Sequence, residues 1–178
     1  MSNVLIGIIG VILFIGLALA GALILGDDFK SSKSSTRAAT IAGQMQQVSA
    51  AVAMYQLKTG RTMSAATYST NVASLVPRFL KTAPTSPSGR LYDTVDATGY
   101  GADVPVRYVT TTIDPDDLTF ARSVCIALNE QAGVADPVAA MGPVLRPEDW
   151  GPFVAGKGRL GCLQFEPGGT RYAAYLML

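Results

Sequence analysis

The chain has 178 residues, a net charge of +1 and a pI of about 7.7. A charge this close to balance gives no basic excess for nucleic acid. The absence of histidine removes the commonest general base and transition-metal ligand. Length suggests one domain with appendages.

Val4 to Leu25 reads "VLIGIIGVILFIGLALAGALIL", 22 residues without charge or proline. As a helix it would be about 33 Å long, enough for a hydrocarbon core of about 30 Å. A cleaved signal normally has a basic n-region and a shorter apolar stretch, so an anchor fits better. The residues expected to face lipid or other copies are Val4, Leu5, Ile8, Ile9, Ile12, Leu13, Gly16, Leu17, Ala20, Leu23 and Ile24. Small residues four apart, as Gly16/Ala20, Ala18/Ala22 and Ala22/Gly26, permit close helix approach in an apolar medium.

The basic residues Lys30, Lys33 and Arg37 follow this run, and none precedes it. The positive-inside rule then places the bulk of the chain in the cytoplasm. An extracytoplasmic placement is recovered if Met1 is the processed N-terminus of a form whose basic leader has been removed.

From Ile41 onward the apolar residues Ile41, Met45, Val48, Val52 and Tyr55 are spaced 4, 3, 4 and 3 apart, the pattern of one helix face. No proline occurs before Pro77, and Gly60 is a natural stop. The economical reading is one helix from about Val4 to Lys58; two helices jointed near Gly26 to Ser35 are the alternative. The expected organisation is residues 1–28 as an apolar half-helix, 29–60 as its amphipathic continuation and 61–178 as a globular head.

Within the head, residues 69–76 read as a short helix, followed by a turn-rich connection through Pro77, Pro84 and Pro87. "VPVRYVTTTI" (104–113) is β-branched and aromatic, a strand pattern. "DPDDLTFARSVCIALNEQAG" predicts a helix with Asp114 at the N-cap, Pro115 at N1 and Gly133 past the end. Leu118, Ala121, Val124, Cys125 and Leu128 form its expected apolar face. Residues 134–158 read as a Pro/Gly-rich loop anchored by Trp150. "RLGCLQFE" and "TRYAAYLML" predict a hairpin turning at Pro167-Gly168-Gly169.

The two cysteines, Cys125 and Cys162, are too far apart for a CxxC motif. In an oxidising compartment the default is one disulfide; in the cytosol it is two buried thiols. A disulfide closing this loop would stabilise by about 4 kcal/mol on a chain-entropy estimate. Asp114, Asp116 and Asp117 lack the EF-hand spacing and read as helix capping. Ser31 to Ser35 around Lys33 read as a polar collar rather than a nucleophile pair. Adjacent Glu148 and Asp149 read as solvated loop residues, and no phosphate-binding glycine motif occurs. The residues therefore predict a non-enzyme without metal or cofactor.

Several segments together resemble the type IV pilin family, in particular the type IVb group of toxin-coregulated, bundle-forming and thin conjugative pilins. They are the apolar N-terminal run, "QVSAAVAMYQLKTGR", "VASLVPRFLKTAP", "ARSVCIALN" and "GCLQF" with its terminal strand. The sequence departs from the family at Leu5, where members carry a glutamate thought to neutralise a neighbour's N-terminal amine. The resemblance implies an α+β fold: a long N-terminal helix, its apolar half protruding, packed on a small antiparallel-sheet head with a second helix and one disulfide. It implies a methylated N-terminus and a subunit held in the bacterial inner membrane. Assembly machinery would then draw it into a helical homopolymer at the cell surface. Adhesion, DNA transfer, motility or phage reception would be the role, with no specific nucleic-acid site. The alternatives are a pseudopilin or minor pilin of a type II secretion-like machine, and a single-pass anchored extracytoplasmic binding domain.

Overall fold

A computed structural model of the chain describes residues 2–61, 63, 72–96, 107–144, 158–165 and 171–178. In the first helix, side chains are described for 7–21 and from residue 29 onward. Two compact units result, Met1–Lys33 and Ser34–Leu178.

Helix α1 spans Ser2–Thr59. Nothing in its sequence interrupts the backbone ladder: proline is absent, and the serines of 31–35 only weaken propensity. Gly60, at φ +65°, ends it, donating its N–H to the Gln56 carbonyl at 2.9 Å.

The second unit is built on an antiparallel sheet. Its strands are β1 (Asp93–Asp96), β2 (Arg107–Ile113), β3 (Pro143–Val144), β4 (Leu160–Phe165) and β5 (Arg171–Met177), in the order β1-β2-β5-β4-β3. β1, β2, β5 and β4 pair antiparallel; the two-residue β3 pairs parallel to β4. The expected strand over 104–113 is present from Arg107, and the expected terminal pair is β4 and β5. β1 and β3 were not foreseen, because "DTVD" and "PV" are too short and too polar or proline-bearing to show a strand period.

Alternation along the strands sends Val109 and Ile113 of β2, Cys162 of β4, and Tyr172, Ala174 and Leu176 of β5 into the main core. The α1 stripe meets this face. Ile41, Met45, Val48 and Val52 are buried as predicted, together with Ala38 and Ala51. Tyr55 is half-buried, its ring edge-on to Phe79 at 5.6 Å between centroids. On the opposite face Tyr108, Leu163, Ala173 and Tyr175 form a smaller buried cluster.

Helix α2 (Leu118–Gln131) starts later than predicted. Asp114 is not its cap and Pro115 is not its first residue. Asp114 sits at φ +28° with its carboxylate held by Arg37, a competing partner that no local pattern reveals. The cap is Asp117, which accepts the Phe120 N–H at 2.9 Å. Leu118, expected on the apolar face, is 42% exposed because it lies in the first turn, while Ala121, Val124, Cys125 and Leu128 are buried. Gly133, at φ +75°, follows the helix end, and the Val134 N–H reaches the Asn129 carbonyl in a Schellman-type closure.

The helix expected over 69–76 is described only from Val72, as a 3-10 turn at Ala73–Leu75 leading to a cis Val76–Pro77 bond. Another 3-10 turn spans Ala139–Met141 within the expected loop. Trp150 and Pro167-Gly168-Gly169 lie outside the described residues.

Candidate functional site

The first candidate is the apolar run of α1. Ile8, Ile9, Ile12, Leu13, Gly16, Leu17 and Ala20 of the predicted set are all exposed. So are Val11, Phe14, Ile15 and Leu19, and Leu17 reaches 75%. Residues 11 to 15 are consecutive, and each residue turns about 100° around the axis, so no side of the helix is polar. Apart from the adjacent residues and the helix's own backbone, nothing among the described residues lies within 4 Å of where a Cβ would stand on Gly7, Gly10, Gly16 or Gly21. The side chains of Met1, Val4, Leu5, Leu23 and Ile24 lie outside those described. Among the described residues, no helix is long and apolar enough to cross a membrane.

The second element of interest is the fastening of α1, α2 and the sheet in the second unit. Cys125 and Cys162 are joined, with 5.3 Å between their Cα atoms. The bond links α2 to β4. Asn129, one turn after Cys125 on α2, is 1% exposed. Its Oδ1 accepts the Cys162 N–H at 2.7 Å, and its Nδ2 donates to the carbonyls of Cys162 at 3.2 Å and Pro137 at 3.0 Å. β3 covers the same edge of β4 further along, at Gln164 and Phe165. The Asn129 carboxamide thus serves as a short extra strand where β3 has ended.

Arg37 on α1 makes a bidentate pair with Asp114, Nη2 to Oδ1 at 2.6 Å and Nε to Oδ2 at 3.2 Å. Its guanidinium also lies 5.9 Å from the Phe120 ring centroid. Further along α1, the buried Tyr92 donates its phenol O–H to Gln44 Oε1 at 2.6 Å, and burial pushes that phenol well above its ordinary range. Tyr175 is likewise pushed up by burial, to about 12. Its ring lies over Gly161, its cross-strand partner, where an added Cβ would stand 2.6 Å from the phenol oxygen.

Burial favours the neutral form of the Tyr92 and Tyr175 phenols. Among the described residues, no group of three or more His, Cys, Asp or Glu could hold a metal ion. An open groove of about 500 Å³ runs between α1 and the sheet, lined by Gln46, Ser49, Ala50, Ala53, Arg159, Leu160 and Leu176. It has a single charged side chain and no nucleophile–base pair.

Asn129 and the Arg37–Asp114 pair were not found by sequence reasoning. Neither has a local signal: their partners lie 33 and 77 residues away. Comparison of the chain with family models, curated proteins and solved structures found no match.

Proposed function

We propose that this chain is a non-catalytic structural subunit of a type IV pilus-like filament. The observation that carries the reading is the α1 run of exposed apolar side chains from Ile8 to Leu19, with no polar side. Soluble monomers rarely expose contiguous apolar patches above a few hundred Å². A helix apolar all round is stable only in lipid or among other helices. The same helix supplies the central core stripe of the second unit, so it is integral to the fold rather than an appended tail.

In this reading residues 4–25 hold the subunit in the bacterial inner membrane. Assembly machinery then transfers it to a helical homopolymer in which these segments pack on one another, and the disulfide-bonded heads form the surface. The small residues Gly16 and Ala20 set the close approach.

Electron microscopy of sheared cell-surface material from a strain expressing the full chain tests this. Filaments containing the protein are expected, and Leu13→Arg is expected to abolish them while leaving the Cys125–Cys162 disulfide intact. Filaments unaffected by Leu13→Arg would reject the apolar run as the assembly surface. Dispersed membrane-bound monomers under every condition would favour the anchored binding domain.

A further inference from the structure

The net charge of +1 conceals a strong segregation. Residues 29–92 contain eight Lys and Arg and no Asp or Glu, whereas residues 93–178 contain six Lys and Arg and eleven Asp and Glu. Within the Ser34–Leu178 unit, four of these cations and four of these carboxylates stand exposed at two separate places among the described residues. At the C-terminal end of α1, the turn after Pro77 packs Phe79 against Tyr55, with the Lys58 ammonium 5.9 Å from its ring centroid. Lys58, Arg61, Arg78 and Lys81 are therefore gathered at one end, all exposed, and no ion pair is formed by them among the described residues. Leu57, 87% exposed, and Met54 stand beside them.

The other pole surrounds α2. Both of its ends lie near the start of the unit, through Arg37–Asp114 at one end and the Gln131 side chain on the Ser35 carbonyl at the other. Asp116 and Asp117 are exposed before the helix, and Glu130 and Asp136 are exposed at and after its end. Arg122 is the one cation on the exposed face of α2, and Arg37 is already occupied by Asp114. Leu118 and Val138 are the exposed apolar residues here. Arg37 and Lys58 are 21 residues apart on one helix, placing the poles about 32 Å apart.

We infer that the basic pole of one copy docks on the acidic pole of a second copy of this chain, in a head-to-tail contact. The basic pole has exposed apolar residues beside four cations, and the acidic pole has exposed apolar residues beside four carboxylates with Arg122 among them, opposite excess charges around an apolar centre as at a charged-rim interface. Because the two patches differ and lie at opposite ends, the contact is heterologous and propagates rather than closing into a dimer. It shares its partner with the filament proposed above but rests on different residues.

The test uses the full chain in detergent micelles, which cover residues 7–21 and leave the polar contact to be measured. Self-association followed by sedimentation is expected to weaken about tenfold or more between low and high salt. Lys58→Glu with Arg78→Glu should abolish it, as should Asp116→Lys with Glu130→Lys. A chain with all four reversals, or a mixture of the two double variants, should associate again. Carbodiimide should join Lys58 or Lys81 of one copy to Asp116 or Glu130 of another in mixed isotope-labelled samples. An intact disulfide and unchanged helical circular dichroism certify folding. Association indifferent to these reversals overturns the inference. So does loss of heparin binding by Lys58→Glu/Arg78→Glu with self-association unchanged, which would make the basic pole a polyanion surface. Micellar association without cell-surface filaments would reject the filament and keep this contact; filaments insensitive to the reversals would do the opposite.

Discussion

Asn129 shows how much one buried polar side chain can settle. Its carboxamide meets one backbone donor and two backbone acceptors, and two of the three partners belong to the disulfide-bonded Cys162. Removing it leaves buried backbone groups without partners, which costs more than the mean value of a hydrogen bond. Asn129→Ala is expected to destabilise the chain by about 2–3 kcal/mol in urea unfolding, with the disulfide still formed. Asp93 on the edge strand behaves in the opposite sense. Desolvation raises its carboxyl above the usual range, so the folded state holds this proton more tightly than the unfolded one. Its stabilising contribution is present when protonated and is lost as pH rises through the folded value. Asp93→Asn should therefore raise stability at pH 7 and leave it nearly unchanged at pH 3, as read by unfolding at the two values. Neither role is legible locally. Asn129 sits in an ordinary helical sequence, and Asp93 lies in "LYDTVD", which looks more like turn than strand.

At the scale of elements, α1 was readable almost in full. The 4-3-4-3 spacing from Ile41 to Tyr55 is a local property, because 3.6 residues per turn brings those side chains to one face whatever lies opposite. Met45 is completely buried on that stripe and Gln47 is exposed beside it. Met45→Ala should cost about 2–5 kcal/mol, and Gln47→Ala within about 0.5 kcal/mol of nothing, in equilibrium unfolding. The start of α2 was misplaced by one turn because two aspartates competed for the cap. Asp114 is withdrawn by Arg37 of α1, which leaves the cap to Asp117. The strands divide the same way. β2, β4 and β5 have enough β-branched and aromatic residues to be recognised, whereas β1 and β3 are strands only because a longer neighbour offers them a ladder.

At the scale of the molecule, the two units differ in what they bury. The Ser34–Leu178 unit buries one core between α1, α2 and one face of the sheet, stapled by Cys125–Cys162. The Met1–Lys33 unit has its described apolar side chains exposed. A chain lacking residues 1–28 is expected to be a soluble monomer at low concentration, retaining the disulfide and the helical signal of the remaining α1. Size-exclusion chromatography with light scattering measures this. Higher oligomers of undiminished stability in that form would show that the apolar run is not the principal assembly surface.

The sequence by itself determined whatever depends on neighbours in the chain: the extent of α1, its core stripe, the apolar character of residues 4–25, the recognisable strands and the number of cysteines. Periodicity and propensity act over a few residues, so they can be read without knowing the fold. The disulfide expected between the two cysteines, Cys125 and Cys162, is formed, whereas only the tertiary structure decided the strand order, the exchange of Asp114 for Asp117 at the cap and the use of Asn129 as an edge strand. Each depends on groups distant in sequence meeting in space, and the free energy of such a meeting is set by burial and geometry that no local pattern contains.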